Sequence, residues 1–325
     1  MMAQTPIAKV QKSALRDNNA CSPFYIPPSP AMTKLGCGTG VNVYRFLRTS
    51  QEGQSPWAVK KVAKRARPGI SERLALEASI LKTLQHPNIV GFRALAENKD
   101  GDFCLAMEDC HMSLRDLIDE REYLEERFTY KEILKVAWSI AKALNYLHNE
   151  KKILHGDLKS GNVLIRGNFE AVKLCDFGVA LRLKDDLSCV VGSTKRYIGS
   201  EPWKSREALT QDNGGRVCDK TDIFAYGLMI WEMLTLGVPH VDLLQDTATS
   251  TDGMMSEEEE EDSEEYLAAL GTRPPLPKEN FDKSFDPVIE LFHGCSEEDL
   301  NKRPSSKEIV DALRPHVLEL KIENF

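Results

Sequence analysis

The chain changes its hydrophobic rhythm about a third of the way along. From Met32 to about Met107 apolar residues fall in short alternating or clustered runs. Val41, Val43 and Leu47 predict one strand, Trp57 to Val62 a second and Phe103 to Met107 a third. A helical period interrupts them once, where a helix is expected from an N-cap at Ser71 to about Leu84. From about Ser113 the pattern is mainly helical. Thr129 with Glu132 three residues later forms a capping box, which opens a segment carrying Ile133, Val136, Ile140, Leu144 and Leu147 on one face. Strand-like pieces follow at Ile153-Leu154, Val163 to Ile165 and Val172 to Cys175. Helix is expected again after Ala208, around Asp222 to Thr235, and from Pro287 to the end. No internal repeat is visible. The fold class this implies is α+β, a small β-rich lobe with one helix followed by a larger α-rich lobe.

Composition narrows the function classes. At 325 residues and 42% hydrophobic the chain can bury a large core in two lobes. The net charge of −8 is local: Glu257 to Glu265 holds eight acidic residues and no basic one, and without those eight charges the balance is zero. Net charge therefore points to neither nucleic acid nor an anionic membrane as a partner. The eight cysteines include no C-x-x-C pair, so zinc-type spacing is absent and a disulfide framework is not expected. The apolar run Ile223 to Trp231 stops at Glu232, short of the ~20 residues a membrane span needs. The N-terminus lacks a secretory layout. The expected compartment is the cytoplasm or nucleus. Residues 1–31, with Thr5-Pro6, Ser22-Pro23 and Ser29-Pro30, read as a flexible tail, and the acidic stretch 246–265 reads as a solvated insert between helices.

Four segments carry chemistry. In Leu35-Gly36-Cys37-Gly38-Thr39-Gly40-Val41-Asn42-Val43 the glycines allow backbone N–H groups close approach to phosphate oxygens. A dinucleotide fingerprint would need glycine where Val41 stands and a helix after it; a P-loop would need Gly-Lys-Ser/Thr. A glycine hairpin over a nucleotide, or a plain glycine-rich turn, remains. In Ala58-Val59-Lys60 strand alternation puts Ala58 and Lys60 on one face: room for a flat base, then an ammonium within reach of phosphates. On the following helix Glu77 falls inside the arc of Leu74, Ile80, Leu81 and Leu84. A carboxylate on a buried face needs a cation, and Lys60 is the candidate. The fourth segment, His155-Gly156-Asp157-Leu158-Lys159-Ser160-Gly161-Asn162, gathers a base, a cation and an amide. Asp176-Phe177-Gly178 follows after an apolar strand. Asn162 and Asp176 are oxygen ligands of the kind Mg²⁺ accepts beside phosphate oxygens.

With these motifs in this order the chain resembles the eukaryotic protein kinases over residues 32–316. The resemblance implies the two-lobed kinase fold, with an N-lobe over 32–107, a hinge at 108–112, a C-lobe over 113–316 and a tail at 317–325. It implies a glycine loop covering ATP phosphates from Gly36 to Val43, with Leu35, Ala58, Met107, Glu108 and Cys110 around the adenine. Lys60 would contact the α- and β-phosphates and pair with Glu77. Asp157 would orient the substrate hydroxyl, Lys159 would steady the γ-phosphate, and Asn162 and Asp176 would hold Mg²⁺. Gly199 to Trp203 would face the substrate, Glu207 would pair with Arg303, and Asp222 would brace the catalytic loop. Lys159 in Asp-Leu-Lys-x-x-Asn is the serine/threonine-type form.

Within that family the chain is similar to the MAP kinase kinase-like, PDZ-binding group, on stretches such as Ser55-Pro56-Trp57-Ala58-Val59-Lys60-Lys61 and Glu201-Pro202-Trp203-Lys204. That likeness implies p38-type MAP kinases as substrates, dual specificity and a mitotic role. It also implies a PDZ-domain partner, although the chain reads Ile322-Glu323-Asn324-Phe325 where that group has a Thr-x-Val-like end. Gly156 stands where most kinases have an arginine that links a phosphorylated loop to the catalytic aspartate. Phosphorylation of Ser188, Ser193, Thr194 or Tyr197, where it occurs, is therefore expected to act without that link. A pseudokinase scaffold is the alternative reading. It predicts loss of the lysine or of an aspartate, and all are present.

Overall fold

The computed structural model describes residues 32–38, 40–47, 56–64, 66–98, 101–189, 196–245, 264–277 and 281–322. The expected N-terminal tail, Thr39, Ser193, Thr194, most of the acidic stretch and the last three residues lie outside the described residues. The chain divides into two compact units, one formed by residues up to 85 with 90–110, the other by 86–89 with 111 onward.

The first unit is an antiparallel five-stranded sheet with one helix. Its strands are β1 (Thr33–Gly38), β2 (Val41–Phe46), β3 (Trp57–Val62), β4 (Phe92–Glu97) and β5 (Phe103–Glu108), in the order β1-β2-β3-β5-β4. The three strands expected from the pattern are present, although Leu47 lies beyond β2, and β1 and β4 are additional. Val59, Ala94, Cys104 and Ala106 pack on one face with Phe46 and Trp57. Helix α1 (Ile70–Leu81) packs against β4 and β5 and buries Leu74, Ala78, Ile80 and Leu81. The helix begins earlier and ends earlier than expected, and Ser71 is not its cap. Gly69 takes the N-cap position at φ 88°, while the Ser71 hydroxyl accepts the N–H of Phe103 at 2.9 Å. The serine ties the helix to the sheet instead.

Gly40 turns the chain from β1 to β2 at φ 78°. A Cβ there would lie 2.9 Å from Cγ1 of Ile70, so glycine is required by both backbone and space. The displaced third glycine has a structural reason: Val41 is already the first residue of β2, paired with Val62.

The second unit is mainly helical. Two capping boxes, Ser113 with Asp116 and Thr129 with Glu132, start α2 (Leu114–Tyr123) and α3 (Tyr130–Asn145). A π-helical turn over Tyr146–Lys151 continues α3. Short strands β6 (Met112–Ser113), β8 (Val163–Arg166) and β9 (Ala171–Leu174) form one sheet. The strands β7 (Ile153–Leu154) and β10 (Leu181–Arg182) pair separately. Helices α4 (Arg206–Leu209), α5 (Asp219–Thr235), α6 (Asp242–Gln245), α7 (Glu264–Ala269), α8 (Asp286–Cys295) and α9 (Ser306–Glu319) follow. The expected helix from Pro287 onward is thus two helices. The first stops at Cys295 with Ser296 as its C-cap, and Ser305 caps the second through Glu308. The insert ends sooner than its composition suggests, since Glu264 and Glu265 open α7, anchored by buried Tyr266.

Helix α5 is the axis of this unit, with every residue from Thr221 to Leu234 buried. That explains an apolar run that is neither amphipathic nor long enough to span a bilayer. Among the described residues no helix is long and apolar enough to cross a membrane. Helix α5 packs on α3 and α8, and α3 packs on α9. Each large apolar side chain so buried contributes about 1.5–3 kcal/mol.

A buried ion pair closes the far end of this core. Arg303 donates to both oxygens of Glu207, at 2.7 and 3.1 Å, and to the carbonyls of Lys220, Glu297 and Glu298. Its guanidinium also lies 4.9 Å from the Phe224 ring centre. Removing one partner strands the other charge in the core. Arg303→Ala is expected to lower the unfolding free energy by about 3–5 kcal/mol in denaturant titration; a loss below about 1 kcal/mol would show that the pair is dispensable.

Candidate active site

The first unit holds Lys60, Glu77 and the residues expected around the adenine. Strand alternation buries Ala58 and Lys60 while pairing them with Met107 and Leu105 of β5. The Lys60 ammonium donates to Oε1 of Glu77 at 2.8 Å, with the residues only 7% and 3% exposed. The carboxylate expected inside the apolar arc of α1 is there, and its cation is the expected one. Met107 and Cys110 are buried, and Glu108 accepts the N–H of Gly91 at 3.2 Å. Leu35, Gly36, Cys37 and Gly38 are exposed along β1, and Val43 pairs with Lys60 across β2 and β3. Thr39, of the same loop, lies outside the described residues. Beside Cys110, Asp109 accepts from Arg45 Nε at 2.9 Å.

The second unit holds Asp157, Lys159, Asn162 and Asp176, and its backbone there is unusual. Lys152 and Asp176 take left-handed conformations at φ 54° and 66°, and Gly156 sits at φ 79°. A Cβ on Gly156 would meet the Val179 carbonyl at 3.2 Å. Asp222 of α5 holds this loop. Its Oδ2 accepts the His155 N–H at 2.8 Å and faces His148 Nε2 at 2.8 Å, and its Oδ1 accepts the Gly156 N–H at 2.9 Å. Burial alone would push the Asp222 carboxyl up. The hydrogen bond and charge of His148, the charge of His155 and the Gly156 N–H outweigh burial and hold it below its ordinary value. His155 Nδ1 accepts the Asp157 N–H at 3.3 Å, which leaves Nε2 to donate to the Cys175 carbonyl at 2.9 Å. One ring thus joins the Asp157 loop to the Asp176 loop.

On this frame Asp157 presents its two oxygens differently. Oδ2 accepts from Asn162 Nδ2 at 3.0 Å and lies 3.2 Å from the Lys159 ammonium. Oδ1 is buried and has no hydrogen-bond partner. Lys159 also bonds Ser200 Oγ at 2.5 Å and lies 5.9 Å from the Trp203 ring centre. Asn162 spends its amide hydrogens on the Asp157 carbonyl and carboxylate, which turns its carboxamide oxygen into the group a cation can use. Asp176 Oδ1 accepts the Gly178 N–H at 3.3 Å. Among the described residues no three His, Cys, Asp or Glu side chains form a metal cluster. An amide oxygen and one carboxylate suit a hard cation that takes its remaining ligands from phosphates and water. The donor set therefore fits Mg²⁺ arriving with a nucleotide.

Tyr197 is enclosed. It is 6% exposed, packed with Leu154, Leu181, Leu183 and Ala208, and its backbone is gripped at N–H and carbonyl by Gln211. Burial and nearby carboxylates push its hydroxyl well above the ordinary value. A side chain so enclosed is not presented for phosphorylation, unlike Ser188, which is partly exposed and bonded to Asp186. The sequence reading also missed Ser160, Ser200 and Glu232. Glu232 carried the same signal that revealed Glu77, an acid inside an otherwise apolar helical run.

Comparison with known proteins agrees with this arrangement. The protein kinase domain model matches residues 30–313. The chain is 49% identical over 299 residues to human lymphokine-activated killer T-cell-originated protein kinase, covering 90% of this chain and 91% of that one. It is 31% identical over 244 residues to the serine/threonine-protein kinase CTR1 of Arabidopsis thaliana, covering 74% of this chain and 26% of that one. It is 34% identical over 178 residues to mouse mitogen-activated protein kinase kinase kinase 13, covering 54% and 17% respectively. Buried Lys60–Glu77, the braced Asp157 loop and this match over most of the length agree: the chain belongs to the protein kinase family.

Proposed function

We propose that this kinase transfers the γ-phosphate of ATP to serine and threonine hydroxyls of proteins, with Asp157 Oδ1 as the atom that receives the hydroxyl hydrogen bond. The carrying observation is the asymmetry of Asp157: one oxygen is saturated by Asn162 and Lys159, the other is buried without a partner. A buried acceptor left unpaired is costly, and a side-chain shift that uncovers Oδ1 would let a substrate hydroxyl relieve it. Lys159, held between Asp157 and Ser200, supplies positive charge beside the transferring group. Lys60, fixed by Glu77, grips the α- and β-phosphates, with Ala58, Met107, Glu108 and Cys110 beside the adenine and Leu35 to Val43 over the phosphates. Asn162 and Asp176 hold Mg²⁺, which when bound neutralises phosphate charge. The named relatives include a mitogen-activated protein kinase kinase kinase, which supports substrates within MAP kinase signalling. A MAP kinase kinase-like activity on p38-type kinases is the finer form of this reading.

The test is transfer of labelled phosphate from Mg-ATP to casein and myelin basic protein, beside Asp157→Asn. Wild type is expected to label serine and threonine, and the variant to be slower by about 10²–10⁴-fold with little change in KM for ATP. Equal transfer by both would remove Asp157 from the reaction, and none by wild type would favour a scaffold. Lys60→Met should behave differently, raising KM for ATP and lowering kcat by about 10²-fold; an unchanged KM for ATP would remove Lys60 from the phosphate site.

A further inference from the structure

Glu232 stands near the C-terminal end of α5 and is 0% exposed. Its Oε2 accepts the Ser160 N–H at 3.0 Å and the Trp203 indole Nε1–H at 2.9 Å. Its Oε1 accepts the Ser160 hydroxyl at 2.5 Å. Ser160 lies between Lys159 and Asn162. Trp203 closes the segment Gly199 to Trp203, whose Ser200 bonds Lys159. One buried carboxylate therefore joins the loop that carries Asp157 to the loop after Tyr197, from a helix with no freedom to follow either. We propose that Glu232 is a positioning residue for phosphate transfer: as a carboxylate it fixes Ser160 and Trp203 together, and on protonation the Ser160 hydroxyl bond reverses and transfer falls. The inference rests on the phosphotransfer reading above.

The chemistry behind it is the direction of one hydrogen bond. Two N–H donors meet Oε2 and the Ser160 hydroxyl donates to Oε1, a direction that needs the ionised form. A neutral carboxyl with its proton on Oε1 would instead donate to Ser160 Oγ, and the Ser160 hydroxyl hydrogen would have to turn away. The charged groups around it work against one another. Burial pushes the carboxyl up, and the Ser160 and Trp203 bonds with the Arg115 charge on α2 pull it down, leaving it at about 7 against an ordinary 4.5. Arg115 itself pairs with Asp119. On the loop side, Lys159 pairs with Asp157 and lies near the Trp203 ring; on the other, Lys204 pairs with Glu201. Asp222, also on α5, is occupied by His148, His155 and Gly156.

The sign separates this role from mere packing. An acid raised in the folded state binds its proton more tightly there than in the unfolded chain. Its contribution to stability is present below about pH 4.5 and is lost as pH rises through about 7. Transfer moves the other way, rising over the same upper range as the carboxylate forms.

The experiment uses the full chain with Mg-ATP and dephosphorylated casein between about pH 6 and 8.5, comparing wild type with Glu232→Gln. Wild-type kcat/KM for casein should rise about tenfold across the neutral range, following the ionised fraction. The glutamine variant should be flat, about tenfold slower at the alkaline end, with KM for ATP unchanged. Trp203 emission, isolated by subtracting Trp203→Phe, should titrate over the same range in wild type and not in Glu232→Gln. If Glu232→Gln does not fold, Ser160→Ala keeps the acid but removes one donor, and its inflection should move to higher pH. Superimposable profiles for Glu232→Gln and wild type, or an unmoved inflection in Ser160→Ala, would overturn the proposal. A wild type without any transfer defeats the kinase reading instead, while a Trp203 titration abolished by Glu232→Gln would still establish the tie.

Discussion

The second unit is organised around a carboxylate taken out of water. Asp222 lies 1% exposed within α5, where an uncompensated charge would cost several kcal/mol. Its compensation comes from the His148 ring and two consecutive backbone N–H groups, at His155 and Gly156. Those N–H groups belong to a loop that turns through a positive φ at Gly156 and cannot form regular secondary structure. The dependence is mutual: the acid tolerates burial because the loop is there, and the loop holds its shape because the acid is there. Everything the site presents, from the unpaired Asp157 oxygen to the Asn162 amide, is aimed by that loop.

Helix α5 extends the same logic along its length. Ten residues after Asp222, about 15 Å along the axis, Glu232 repeats the device with a different set of donors. One end braces the loop before Asp157, the other the loop after it. The Glu207–Arg303 pair anchors the segment that follows Trp203, and Thr221 of α5 donates to the same glutamate at 3.1 Å. Two acids of this buried helix, Asp222 and Glu232, thus meet loop donors. The first unit uses the device at Glu77, where the partner is a lysine on a neighbouring strand.

What the sequence disclosed follows from this. Acids inside apolar periods are legible, because period and charge conflict on the page, and Glu77 was read that way together with its lysine. The capping boxes at Thr129 and the strands flanking the Asp157 and Asp176 loops were legible from local chemistry. The strands β1 and β4 were not: β1 is glycine-rich and exposed, and β4 breaks its alternation with Arg93 and a register shift after Phe92. Ser71 looked like a cap because caps and long-range acceptors use the same hydroxyl. The enclosure of Tyr197 was not legible because it depends on Leu154, Leu181 and Leu183, distant in sequence.

The most direct measurement is the transfer rate of Asp222→Asn, with folding checked by circular dichroism. An asparagine keeps the shape but must turn its NH₂ group toward a backbone N–H or the His148 nitrogen, so at least one tie is lost. The account predicts that kcat falls by about 10²-fold, with KM for ATP within about threefold of wild type. A folded variant whose kcat stays within about threefold of wild type would contradict it.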